Sequence, residues 1–234
     1  YCWQSLGGIE DKMLNFLENH DEQRIASGFF SGNGMSAQPA MIVAATLTKA
    51  PVMIYFGQEF GELGMDSEGF SGIDGRTSIF DYWGLKTIQA WANNGKFDGK
   101  YLNEEQKVLR NFYKKLLNIT LNEKAITDGL MYDLEYANFL NPKFNSHEQF
   151  AFFRKYEDEI LLIVLNFHDT HLDTEVRIPL EAFQYLNINT DEKYNCVNLL
   201  DESVCYSAIE LKPNEMFKTQ LPPWTGFIFK LTKV

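Results

Sequence analysis

The chemistry-bearing residues of this chain crowd into one short stretch, Glu18-Asn19-His20-Asp21-Glu22-Gln23-Arg24. The stretch follows an apolar run from Met13 to Leu17, so together they read as a buried parallel strand with a polar tip. In α/β sheets ligands gather at the carboxyl ends of strands, which makes this tip a candidate site. Asp21 brings a carboxylate and His20 an imidazole, both suited to hydrogen-bonding a substrate. An Asn-His-Asp sequence equally suits a turn or a helix N-cap, so residue types alone leave both readings open. Asn19 either supports that turn or adds a polar contact. Arg24, three residues after Asp21, either holds its charge in place or is a solvated surface cation. Glu59 closes a second apolar run and invites pairing with Asp21 as acid and base.

Two further groups carry chemistry. Phe70, Tyr82, Trp83 and Trp91 could form a stacking surface near the site, although helix packing explains Trp91 equally well. Asp66, Asp74 and Asp81 could be read as calcium ligands, but their spacing matches no EF-hand loop, and no metal is assigned. The three cysteines, Cys2, Cys196 and Cys205, are too few and too dispersed for a disulfide framework or zinc site. Cys196 and Cys205 are expected as free thiols rather than as a cross-hairpin pair.

Elements that would position these residues follow from periodicity. Residues 9 to 122 alternate apolar runs with helical patterns, the mark of βα units. Met13 to Leu17 is the first expected strand and Pro51 to Phe56 the second, the latter stopped by Gly57. Between them Ser36 offers an N-cap, Pro39 is tolerated in a first turn, and Met41 to Leu47 continues as helix. A helix is expected over Phe80 to Trp91. Another runs from Asn103 to about Leu121, opened by an Asn103/Gln106 capping box. Its apolar face comprises Val108, Leu109, Phe112, Leu116, Leu117 and Ile119. From about residue 124 the texture changes to short strands rich in β-branched and aromatic residues: 130–137, 150–156, 160–167, 174–178, 194–199, 207–211 and 225–231. Seven such strands without long helices predict an antiparallel β-sandwich, with a boundary between residues 123 and 124.

Bulk properties narrow the function. At 234 residues, 45% hydrophobic and 15% aromatic, the chain has ample material for packed cores. A net charge of −11 disfavours nucleic acid and anionic membrane as partners, since both demand clustered cations. No apolar run reaches the ~18 residues of a membrane span.

These motifs, in this order, resemble the α-amylase family of glycoside hydrolases. Phe16-Leu17-Glu18-Asn19-His20-Asp21 is similar to the segment after the seventh barrel strand of that family, and Ala50-Pro51-Val52-Met53-Ile54-Tyr55-Phe56-Gly57-Gln58-Glu59 to its eighth strand and outlet. Asp74-Gly75-Arg76-Thr77 with Asp81-Tyr82-Trp83 resembles the loop that follows, and residues 109–117 the last barrel helix. Phe152-Phe153-Arg154 and Leu162-Ile163-Val164-Leu165-Asn166-Phe167 resemble the start of the C-terminal β-sandwich. The implied fold is the end of a TIM-type (β/α)8 barrel, residues 1–123, followed by a β-sandwich, residues 124–234.

The resemblance also implies roles. Enzymes of this kind retain configuration through a nucleophilic carboxylate and an acid about 5–5.5 Å apart. In the family these follow the fourth and fifth strands, so the chain is expected to lack both and to be part of a longer enzyme. Asp21 maps onto the third carboxylate, which stabilises the transition state. His20, Asn19 and Arg24 form the implied substrate-binding set. Gln58-Glu59 shapes the rim and is not the proton donor. No cofactor is implied in this chain; the family's usual calcium lies in the upstream part. The implied partners are an α-glucan or malto-oligosaccharide and the upstream barrel portion. Alone, the chain is expected to be inert and, with two staves unpartnered, to self-associate. The alternative class is a non-catalytic module whose β-sandwich binds glycan, with Trp224 and Tyr136 as a platform, or serves only as a buttress. The cellular location is left open.

Overall fold

The computed structural model describes residues 8–64, 73–80, 84–190 and 192–234. These divide into two compact units, one of residues 1–45 and 50–117, the other of residues 46–49 and 118–234.

In the first unit the two expected barrel staves lie parallel but barely form a ladder. One bridge joins them, Asn15 to Val52, where the Asn15 N–H donates to the Pro51 carbonyl at 2.9 Å and Met53 N–H to the Asn15 carbonyl at 2.8 Å. The expectation of two fully buried strands is corrected here. Met13, Leu14 and Phe16 are exposed, and Val52 to Ile54 are half-buried. A parallel strand extends only where neighbours on both edges satisfy its amides, and among the described residues each run has only the other.

Helix α1, Gln38–Thr46, is entered through a 3-10 turn at Gly34–Ala37. Its cap is Asn33, whose side-chain oxygen accepts the Met35 N–H at 2.8 Å, rather than Ser36. The Ser36 hydroxyl instead donates back to the Asn33 carbonyl at 2.7 Å. Helix α2 covers Lys86–Ala92, a shorter span than the 80–91 expected. Helix α3, Glu104–Asn122, opens with the reciprocal capping box: Asn103 accepts from the Gln106 N–H at 2.8 Å and Gln106 from the Asn103 N–H at 3.0 Å. Leu109, Phe112, Tyr113 and Leu116 form its buried stripe, with Val108 turned outward.

The second unit is dominated by sheet. Helix α4 (Lys124–Thr127) and strand β1 (Leu130–Asp133) lead to α5 (Glu135–Asn138), which replaces the second half of the strand expected over 130–137. Strands β2 (Gln149–Tyr156), β3 (Glu159–Asn166) and β4 (Leu172–Arg177) follow, then helix α6 (Leu180–Leu186). Strands β5 (Lys193–Asn198), β6 (Cys205–Glu210), β7 (Met216–Leu221) and β8 (Thr225–Lys233) complete the unit. A six-stranded antiparallel sheet runs β1-β2-β3-β8-β5-β6, and β4 pairs with β7 in a second, two-stranded sheet. Phe153, Leu162, Val164, Val176, Phe217 and Phe229 belong to the core of this unit. The alternation seen in Thr174-Glu175-Val176-Arg177-Ile178 is realised, with Thr174, Val176 and Ile178 buried. Arg154 is buried within this unit and donates to the backbone carbonyls of Ala125 and Leu47, both at 2.9 Å, and of Ile126 at 2.5 Å. Cys196 and Cys205 are free thiols, and burial pushes the Cys196 thiol up to about 12.

Candidate functional site

The loop of residues 18–27 carries the site, and a buried ion pair beneath it fixes its course. Glu18 and Arg24 meet at 2.8 Å with side chains 3% and 0% exposed. The second Glu18 oxygen accepts the Ile25 N–H at 2.8 Å, which closes the loop on itself. Arg24 Nε donates to the Thr77 hydroxyl at 2.9 Å, Nη2 to the same oxygen at 2.5 Å and to the Phe56 carbonyl at 2.7 Å. Its guanidinium also lies 4.3 Å from the Tyr55 ring centroid and 5.2 Å from that of Phe56. Burial raises the Glu18 pKa against the opposing pull of Arg24, so this carboxylate depends on its partner to stay charged.

The residues above this pair are open to solvent. The Asn19 side-chain oxygen accepts the backbone N–H of Asp21 at 2.8 Å and of Glu22 at 2.9 Å, an Asx turn that orients the next residues. His20 Nε2 lies 3.4 Å from Asp21 Oδ2, with the side chains 54% and 75% exposed. Imidazole and carboxylate are thus presented side by side.

A second segment braces the loop from residues 73–80. The Arg24 N–H donates to the Gly75 carbonyl at 2.6 Å, Gln23 Nε2 to the Asp74 carbonyl at 3.2 Å, and Tyr55 hydroxyl to the Thr77 carbonyl at 2.8 Å. Gly75 adopts a left-handed φ of 83° and packs against Ser27 so closely that a Cβ would collide with the Ser27 hydroxyl. Arg76 pairs with Asp74 at 2.9 Å and reaches the Asp21 carbonyl at 3.5 Å.

Among the sequence-derived candidates, Asn19, His20 and Asp21 share this loop. Arg24 shares it but not the surface: it is neither a solvated cation nor a partner of Asp21. The four hydrogen bonds of its side chain go to Glu18, Thr77 and Phe56, so it holds the loop in place from beneath. Glu59 is set apart from the loop, at the 3-10 turn Gln58–Phe60. Its Oε2 has no hydrogen-bond partner among the described residues, and burial raises its pKa with Arg110 opposing. Trp91 packs on Phe60 (5.8 Å), Phe97 (5.3 Å) and the Arg110 guanidinium (5.5 Å), which favours its packing role. Phe70, Tyr82 and Trp83, with Asp66 and Asp81, lie outside the described residues. No group of three or more potential metal ligands occurs among the described residues. The sequence motifs contain Glu18 and Thr77 but assign neither a role; an acid ending an apolar run six residues before an Arg was the available signal. A cavity of about 430 Å³ in the same unit is lined by Ala26, Gly34, Phe60, Glu62, Thr87 and Leu109 and does not include the exposed trio.

Chain order and geometry define the class: strand-and-helix units carrying a polar outlet loop, followed by an antiparallel β-domain. Residues 139–232 match the model of the alpha amylase C-terminal all-beta domain. Solved structures agree on the fold. An alpha-amylase from Geobacillus thermoleovorans complexed with acarbose is 16% identical with a TM-score of 0.61, over 98% of this chain and 42% of that one. The trehalose-6-phosphate hydrolase of Bacillus licheniformis is 19% identical, TM-score 0.58, over 94% and 43%. AmyP in complex with maltose is 18% identical, TM-score 0.57, over 93% and 40%. The chain therefore spans about two fifths of the length of these structures. No curated protein sequence matches it.

Proposed function

We propose that this chain is the C-terminal part of a retaining α-glycoside hydrolase acting on starch or malto-oligosaccharides. The carrying observation is the exposed His20–Asp21 pair, held by an Asx turn above a buried Glu18–Arg24 ion pair. Asp21 accepts hydrogen bonds from sugar hydroxyls of the reacting unit. Those bonds tighten as the ring flattens toward an oxocarbenium-like state, so they lower the barrier rather than merely binding. His20 donates to a neighbouring hydroxyl. The Arg24 clamp and the Gly75 brace preset the loop, so little ordering is left for the moment of reaction. The nucleophile and the general acid come from earlier barrel strands.

The solved structures with maltose and acarbose support this substrate class by likeness of fold. The test uses the longer enzyme that contains these residues. Asp21→Asn there is expected to lower kcat on maltoheptaose by about 100-fold or more, consistent with several kcal/mol of transition-state contact. Residues 1–234 alone are expected to show no turnover. An Asp21→Asn enzyme with undiminished kcat, or robust activity from the 234-residue chain, overturns the reading.

A further inference from the structure

We infer that the β-domain carries a second, non-catalytic α-glucan site, built from Tyr132, Tyr136 and Tyr185. Its substrate class rests on the hydrolase reading above; its geometry does not. Three different elements bring these rings together: Tyr132 lies on β1, Tyr136 on α5 and Tyr185 on α6. Tyr132 packs on the domain core, which anchors the cluster. Its ring centroid is 6.3 Å from that of Tyr136 at an interplanar angle of 60°, and 5.6 Å from that of Tyr185 at 48°. The outer two tyrosines remain 59% and 56% exposed, so their faces are open to a ligand.

The chemistry of the patch selects its occupant. A pyranose ring has an apolar C–H face and a rim of hydroxyls, which is the complement of a phenol's flat face and polar edge. The Tyr132 and Tyr136 hydroxyls are 2.7 Å apart, so the polar edges are gathered at one place. Burial, the Tyr136 hydroxyl and the nearby charges of Glu181 and Asp133 all raise the Tyr132 pKa, keeping the phenol a donor. Those carboxylates repel anionic partners such as nucleic acid or acidic lipid while accepting hydrogen bonds from neutral hydroxyls. The rings are inclined to one another rather than coplanar. Successive sugars of an α-linked glucan turn along the chain and can follow inclined rings, whereas a flat β-linked chain needs coplanar ones.

The test titrates the whole 234-residue chain with maltoheptaose by calorimetry and runs it in amylopectin-containing native gels. Tyr136→Ala/Tyr185→Ala should weaken binding at least about tenfold, and Tyr136→Phe/Tyr185→Phe should stay within about threefold, because stacking survives. The loss caused by Tyr136→Ala/Tyr185→Ala should be the same in an Asp21→Asn background. Absence of binding by the wild-type chain at millimolar maltoheptaose overturns the site, as does undiminished binding by the double alanine variant. Equal affinity for cellohexaose overturns the α-glucan assignment. Loss of a dimer on gel filtration of the alanine variant, without loss of sugar binding, assigns the patch to a second copy instead. If Asp21→Asn abolishes binding, the tyrosine site fails and the hydrolase reading stands. If tyrosine-dependent binding holds while Asp21 proves dispensable to turnover, the hydrolase reading fails alone.

Discussion

The two units are held by different chemistry. The second unit closes on itself through long antiparallel ladders, with β3 buried from Ile160 to Asn166 between β2 and β8. Around its site the first unit relies on point contacts between loops: one buried ion pair, one hydroxyl, a few carbonyls and a single parallel bridge. Apolar packing tolerates repacking and spreads its energy over many atoms. A buried polar clamp does neither, because removing one member leaves the other unsolvated and unpaired. The lesson is that the segment bearing the candidate site is also the one whose order depends on very few groups.

That contrast is sharpest at Arg24. Replacing it with Ala strands the buried Glu18 carboxylate and is expected to cost about 3–5 kcal/mol. Hydrogen exchange should then accelerate at the Ile25 and Ser27 amides and leave β2 and β3 untouched; unchanged protection at those amides would break the comparison. Leu162→Ala, in the middle of β3, is the matching probe of the other unit. It should cost about 2–5 kcal/mol and lower the protection of β2, β3 and β8, but not that of the 18–27 loop. A loop that melts along with the sheet would show that the two are coupled more tightly than their chemistry suggests.

Glu59 gives a smaller and pH-dependent effect. Burial raises its folded pKa, so the folded chain binds this proton more tightly than the unfolded chain does. Its contribution to stability therefore falls as pH rises from the ordinary carboxylate range through the raised value, and is flat above it. Glu59→Gln removes that fall and should stabilise the chain at neutral pH by on the order of 1 kcal/mol, the scale of an unsatisfied buried acceptor. Thermal melts of the wild-type and Glu59→Gln chains at pH 4 and 8 check this, and an advantage of the Gln variant that fails to grow between those values would refute it.

Legibility in the sequence followed the same division. Strands β2, β3 and β8 were readable because a strand buried on both faces is a continuous apolar run. The α3 cap was readable because both of its partners lie within four residues. Strand β7 was missed: its inward positions are Phe217, Thr219 and Leu221, and a polar residue in the middle masks the alternation. Helix α6 is two turns long behind Pro179, too short for a periodic signal. Asn33 was overlooked as a cap because a 3-10 turn shifts the helix entry by a few residues. In the site, Asn19, His20 and Asp21 were legible as a polar cluster ending an apolar run. Arg24's fate was not, since it is decided by Thr77, 53 residues away, and by the Phe56 carbonyl, which local spacing does not encode.

Arg154 has a consequence for behaviour in acid. Contacts held by a carboxylate weaken once the anion takes up a proton. The Arg154 guanidinium instead grips three peptide oxygens, groups with no proton to gain in that range. As vinegar-like conditions strip charge from the rest of the surface, this knot among residues 47, 125, 126 and 154 should be among the last tertiary links to let go.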